Sequence, residues 1–502
     1  MSKRFWLINA IAMMVCALLC VIMFSVVKYQ GSVIMLLLIL VLIGLILATL
    51  LRERKNGRFD IFHPLVFPAV FYFFPMFVLK PLAVISLHYE NHVLDLLSDQ
   101  NYYLNLGMIT SILSFSSLAI GYYVPIGKKM GSCLPSLDRW NFTSNEMKLA
   151  SMTVYGIGFL STAYLFTRGR IGYTLLQEGS ITFLNILQHL SRFTAYGMFL
   201  SLWVYLGLKS KRGSALLILL GIALGQIWWT FAMGSRGQLF SMALIVLGAM
   251  QYSLYPHFPY RKLLVAASFI IMSLLIGVIL GTSFREQKLR TIGMEEKINA
   301  RDVLALNTDV LDKLLTLSIS DIKEMGEQTI VRRMDSLDSL TVILNHSERL
   351  KTAEEALGIN GNIVKNLLWG LVPRFIWSEK PTISDFAIKF GNLYNISSSE
   401  FNFQAVTIMG DLYRNFGMAG VVIGMFIMGI VLRIVYGWLM EKENPSSFAF
   451  CLYFFFITSI NYEDQYSEFF TNTIRIILFL LIAGIIIRVH IAAKGMLAKS
   501  TA

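Results

Sequence analysis

The chain has 502 residues, of which 56% are hydrophobic and 15% charged, and its mean hydropathy is +0.62. An ordinary soluble domain carries about 25% charge, and a disordered chain pairs low hydrophobicity with high charge, so a soluble enzyme, a secreted disulfide scaffold and a disordered polymer are all excluded. The net charge of +12 reflects basic residues gathered in short loops between apolar runs, not nucleic-acid binding.

A membrane-crossing helix needs about 20 mostly apolar residues. Twelve stretches qualify, at roughly 5–27, 31–51, 61–87, 103–125, 147–167, 188–208, 214–233, 237–255, 262–281, 417–438, 446–461 and 470–488. The expected fold is therefore all-α, a polytopic bundle of about 12 transmembrane helices. The first run follows Met1-Ser2-Lys3-Arg4 and is too long for a signal-peptide core, so it reads as a retained anchor. The third holds Pro64, Pro68, Pro75 and Pro81, four of the chain's 11 prolines. Proline removes a helical hydrogen bond, so this stretch reads as a broken helix lining a cavity or as a kinked, interfacial segment.

Loop charge sets the topology. Arg52, Arg54, Lys55 and Arg58, then Lys128, Lys129, Arg139 and Lys148, then Lys209, Lys211 and Arg212 fall on one side. The short loops of the other side carry only Lys28, Arg168, Arg170 and Arg236. Basic residues stay inside, so both termini are expected in the cytoplasm. Within the spans, Lys80 and Arg475 are the clearest charges. One connection, 282–403, has no span. Val303, Leu306, Val310, Leu314 and Leu317 recur there at helical spacing, as do Ile330, Met334, Leu337 and Leu344. The expected organisation is 1–281 with nine helices, 282–403 as a large external helical loop, and 404–502 with three helices and a cytoplasmic tail.

Cys16, Cys20, Cys133 and Cys451 imply no disulfide framework. His88 and His92 flank Glu90 without a third ligand, so no metal site is expected. His346, the one histidine of the 282–403 connection, reads mostly as structural, with a base as the alternative.

The chemistry concentrates in cations that break the inside-positive pattern. Arg168 and Arg170 leave the fifth span, and Arg236 sits in the tight turn Gly234-Ser235-Arg236-Gly237. A cation at a helix N-terminus is an anion site in physical terms. Arg332 and Arg333 open the run Arg-Arg-Met-Asp-Ser-Leu-Asp, Arg374 follows Pro373, and Lys380 precedes Pro381. Such groups bind phosphate bidentately, or serve as lipid head-group contacts and internal salt bridges. In Gly410-Asp411-Leu412-Tyr413-Arg414-Asn415-Phe416-Gly417, Asp411 is the best-placed carboxylate for proton abstraction, while Tyr413 and Asn415 could hold a sugar hydroxyl. A helix cap with an interfacial belt is the alternative. The run Asn461-Tyr462-Glu463-Asp464-Gln465-Tyr466-Ser467-Glu468 suits carbohydrate or an ordinary surface loop. No phosphate loop, nucleotide fingerprint or serine-hydrolase elbow is present, so a substrate would have to arrive already activated.

The pieces Gly-Ser-Arg-Gly (234–237), Arg-Arg-Met-Asp-Ser-Leu-Asp-Ser-Leu (332–340), Pro-Arg with Lys-Pro (373–374, 380–381) and Gly-Asp-Leu-Tyr-Arg-Asn-Phe-Gly (410–417), in this order, resemble the bacterial O-antigen, or oligosaccharide repeat-unit, polymerases of the Wzy type. Arg168 and Gly179 also match a spacing associated with them. The resemblance covers most of the chain from about residue 150. It implies a GT-C-like membrane glycosyltransferase of the cell inner membrane, independent of metal, cofactor and nucleotide sugar. Its substrate would be an undecaprenyl-diphosphate-linked oligosaccharide, its partners a chain-length regulator and a flippase. Asp411, Arg236 and Arg374 would then be catalytic, and Arg168, Arg170, Arg332, Arg333, Lys380, Tyr413 and Asn415 would bind substrate. An O-antigen ligase and a flippase are the competing readings.

Overall fold

The computed structural model describes residues 30–55, 59–87, 93–137, 142–167, 182–207, 212–233, 236–253, 334–359, 361–372, 385–396, 405–442 and 445–500, with isolated positions between. Every regular element among them is helical. In chain order the helices are α1 (Gln30–Lys55), α2 (Gln100–Tyr123), α3 (Pro125–Cys133), α4 (Ser144–Thr167), α5 (Thr182–Leu190), α6 (Phe193–Gly207) and α7 (Arg212–Met233). There follow α8 (Arg236–Ser253), α9 (Ser336–Ala356), α10 (Asn362–Leu371), α11 (Asp385–Leu393), α12 (Ile408–Leu439), α13 (Ser447–Thr458) and α14 (Tyr466–Ser500). Between α1 and α2 runs a broken segment: a helical turn Val66–Pro68, π-helical turns Ala69–Phe73 and Pro75–Leu79, and a helical stretch Lys80–Leu87.

Seven helices among the described residues are long and apolar enough to cross a membrane: Val33–Arg54, Val66–Ser86, Gln100–Tyr123, Ser144–Thr167, Gly213–Thr230, Ile408–Leu439 and Tyr466–Val489. The chain is thus a membrane protein whose described elements are all helical. The expected spans at 5–27 and 262–281 lie outside the described residues. Those at 188–208, 237–255 and 446–461 coincide with shorter helices, α5 with α6, α8 and α13.

The prolines explain the third span. Pro75 and Pro81 cannot donate to a regular ladder, and the chain winds into wider π turns instead of ending the helix. Helix starts follow local chemistry. Asp99 caps α2 by accepting the Tyr102 N–H at 3.0 Å. Thr143 and Glu146 form a reciprocal box on α4, with the Thr143 N–H donating to the Glu146 carboxylate at 2.7 Å.

The chain divides into two compact units. Unit one comprises Met1–Pro135, Val331–Glu441 and Ser459–Ile474. Its spine is α2 against α12, brought to backbone contact by glycines: a Cβ at Gly121 would collide with the Phe426 carbonyl, and one at Gly429 with that of Leu118. Membrane helices use small residues in this way because lipid supplies no hydrophobic drive between them. Against this spine lies the first half of α9, with Ser336 through Asn345 all buried. Leu337 and Thr341 fit over Gly107 of α2, and Ile343 over Gly410 of α12. Unit two comprises Ser136–Ile330, Lys442–Thr458 and Arg475–Ala502. In it α4 meets α6 through Gly158 and Gly197, and Phe199 stacks on Phe454 with centroids 4.8 Å apart.

Candidate functional site

The densest polar cluster among the described residues of unit one gathers at the start of α12. Thr407 opens the helix, accepting the Gly410 N–H at 3.0 Å. The run Gly410–Gly417, expected as a boundary before a span, is itself helical; the break comes at Gly417, where φ is +65° and ψ −162°. Only glycine tolerates that backbone comfortably. The extra turns place Asp411, Arg414 and Asn415 on one face, three and four residues apart.

Arg414 is the hub. Its guanidinium donates to Glu354 Oε2 (2.9 Å), the Ile359 carbonyl (2.9 Å), Asn362 Oδ1 (2.7 Å) and Asp411 Oδ1 (3.0 Å). Asn362 donates on to Gln465 Oε1 at 2.9 Å, and Asn366 does the same at 3.0 Å. Tyr394 donates to Glu354 Oε1 at 2.8 Å. The backbone N–H of Tyr466, first residue of α14, donates to Asp411 Oδ2 at 3.0 Å. One buried lattice therefore ties α9, α10, the turn after α11, α12 and α14 together. The side chains of Arg414, Asp411 and Glu354 are at most 1% exposed. Burial pushes the Glu354 carboxyl above its ordinary value, against the pull of Arg414 and the Tyr394 hydroxyl.

This geometry gives Asp411 a different role from the one its sequence position invites. Oδ1 accepts from Arg414, Asn362 and Asn415, and Oδ2 from Tyr466. A carboxylate so saturated and so buried positions its neighbours; as a proton acceptor it would first have to abandon an ion pair. Asn415 belongs to the same lattice, donating to Asn362 Oδ1 at 3.0 Å and to the Asp411 carbonyl at 2.8 Å. Tyr413 is half-buried on the opposite side, near Glu348, Tyr102 and Tyr103. Arg236 is the first residue of α8. Arg168, Arg170, Arg332, Arg333, Arg374 and Lys380 lie outside the described residues, as does the side chain of Arg236.

Residues 149–492 match a family model described only as a domain of unknown function (DUF8712). The chain belongs to that family. No curated protein and no solved structure matches it. The region matched to this family contains the whole Arg414 lattice and none of the first three spans.

Those spans supply two further polar clusters. Lys80, inside the broken segment, pairs with Asp338 of α9 at 2.7 Å, with side chains 0% and 1% exposed. An ion pair within a span is expensive unless function or anchoring requires it. Towards the other end of α12, Arg433 binds Glu441 at 2.8 Å. Beside it, His63 Nε2 lies 2.8 Å from the Tyr122 hydroxyl and 3.3 Å from Glu53. Burial, aided by Arg433, lowers the His63 imidazole to about 3. Arg414 and Arg433 lie nineteen positions apart on α12, with the break at Gly417 between them.

The sequence singles out Asp411, Tyr413 and Asn415, and the run 461–468 that contains Gln465, but not Glu354, Asn362 or His63. Asp411 and Arg414 three residues apart beside an apolar run are the legible signal; their partners from α9 and α10 carry none.

Proposed function

We propose that this chain is a membrane glycosyltransferase that polymerises lipid-linked oligosaccharide repeat units. In this reading about 12 spans form a GT-C-like bundle in the inner membrane, with both termini in the cytoplasm. The growing glycan leaves undecaprenyl diphosphate as its anomeric carbon–oxygen bond breaks. The new bond forms to a hydroxyl oxygen of a second lipid-linked unit. The hydroxyl proton passes to a base, and the diphosphate departs with the bonding electrons.

The observation that carries the reading is the Arg414 lattice. A substrate already activated needs no nucleotide site, but it needs helix ends held rigidly where head group and glycan lie. The lattice fastens α9, α10 and the turn after α11, all within the 282–403 connection, to the starts of α12 and α14 through buried charge-assisted bonds. Arg168, Arg170, Arg236, Arg332, Arg333, Arg374 and Lys380 are the cations proposed to hold the donor diphosphate. Arg236 and Arg374 carry the leaving-group charge; Asp411 and Asn415 position the platform, and Tyr413 stands at its edge. A flippase and a chain-length regulator are the proposed partners.

A transporter of the same lipid-linked units is the second reading, favoured by the intramembrane Lys80–Asp338 pair. A ligase would share the polymerase geometry. Surface-polysaccharide ladders from a strain deleted for this gene separate them. Loss of long chains with one capped unit retained is the polymerase result. Loss of every band indicates a ligase or a transporter, and an unchanged ladder overturns all three.

A further inference from the structure

Three buried hydroxyls of unit one make no well-formed hydrogen bond: those of Tyr72, in the first π-helical turn, Ser336, at the first residue of α9, and Tyr462, in the turn before α14. Tyr72 is 6% exposed, Tyr462 4% and Ser336 0%. They converge on one place. The Tyr72 and Tyr462 rings stack, centroids 5.0 Å apart and planes at 24°. The Ser336 hydroxyl lies near enough to the Tyr72 hydroxyl to act on it, and the fields of Glu463, Tyr462 and Asp335 reach it. A buried hydroxyl without a partner costs free energy that an entering polar group would recover.

The walls are rigid. Glu463 accepts through its carbonyl from the Val406 and Thr407 N–H groups, and the Tyr462 carbonyl accepts from Ile408. On the other side α9 begins, its first half buried, with Asp335 as the residue before it. Asp335 and Glu463 are half-exposed at the rim, and Asn461 is exposed.

The chemistry of this place is specific. Carboxylates accept from sugar hydroxyls, tyrosine and serine hydroxyls both donate and accept, and tyrosine is suited to a half-wet, half-apolar surface. Two carboxylates repel a diphosphate. We infer that the junction of Met334–Ser336 with Tyr462–Asp464, over Tyr72, is a glycan subsite that takes hydroxyl groups of the neutral sugars of the lipid-linked unit, separate from any site for its phosphates. The inference deepens the polymerase reading and rests on it. Asp335 and Glu463 hold sugar hydroxyls at the rim; Tyr72, Ser336 and Tyr462 bond the group that reaches between them.

The test uses the full chain in lipid vesicles, with lipid-linked repeat units extracted from a strain deleted for the gene. Tyr72→Phe and Glu463→Gln should each raise KM about 5-fold or more, as expected for one lost hydrogen bond, with kcat within about twofold of wild type. A second measurement adds the oligosaccharide released from those units by mild acid and follows thermal unfolding. The glycan should raise the midpoint of the wild type and leave that of both variants unmoved. Wild-type KM in both variants, the result expected if only water fills the junction, overturns the subsite, as does a loss confined to kcat. If the wild type makes no polymer and the glycan still raises its midpoint, the polymerase reading fails and the subsite stands.

Discussion

Replacing Arg414 by glutamine removes the one cation that serves both Glu354 and Asp411. Four hydrogen bonds go with it, and two carboxylates at most 1% exposed are left facing each other's field. Breaking a buried ion pair by removing one partner costs about 3–5 kcal/mol, and with two carboxylates stranded the upper end applies. At about 2 °C per kcal/mol for a cooperative unit of some 250 residues, the unfolding midpoint should fall by roughly 10 °C. Arg414→Lys keeps the charge and loses the fork, so it should fall between wild type and Arg414→Gln. The discriminating variant is the triple Glu354→Gln, Asp411→Asn, Arg414→Gln. It strands no charge and should be more stable than the single Arg414→Gln. Size-exclusion profiles of detergent-purified protein after stepwise heating measure all of these. Refutation would be a single variant within about 2 °C of wild type, or a triple no better than the single.

Lys80→Met leaves the buried Asp338 without its lysine and should cost about 3–5 kcal/mol, while Lys80→Met with Asp338→Leu should recover much of it in the same heating assay. His63 makes stability pH-dependent with a fixed sign: its folded imidazole titrates near 3 and its unfolded one near 6.5, so stability is full above pH 6.5 and declines as pH drops towards 3. At pH 4.5 the loss is about 3 kcal/mol, at about 1.4 kcal/mol per pH unit, and His63→Gln should remove that part of the pH slope when unfolding is followed from pH 7 to 4.5. Arg236→Ala and Arg374→Ala should each abolish polymer at unchanged protein level, read by polysaccharide ladder and immunoblot; wild-type chain lengths would remove them from the proposed site.

What could be read from the sequence follows the range of each signal. Hydropathy is local, so the cores of the seven candidate membrane spans among the described residues were legible, as was the disturbance at Pro64–Pro81. Its outcome, π turns ending on a buried Lys80, was not, because the residue that makes Lys80 tolerable is Asp338, more than 250 positions away. The same holds at Asp411. Asp411, Tyr413 and Asn415 stand in one short polar run, and their type invited a chemical role. Only tertiary packing turns Asp411 and Asn415 inward to Asn362 and leaves Tyr413 on another face. The helix start at Ile408 was missed for a physical reason as well: the polar residues that lowered local hydropathy are satisfied by buried partners, so the helix extends through them.

The central claim is that the chain itself joins lipid-linked repeat units. Purified protein in vesicles, given only undecaprenyl-diphosphate-linked repeat units, should yield lipid-linked products of two or more units and release free undecaprenyl diphosphate. A lipid-linked fraction that stays at one unit per lipid, with no diphosphate released, would contradict it.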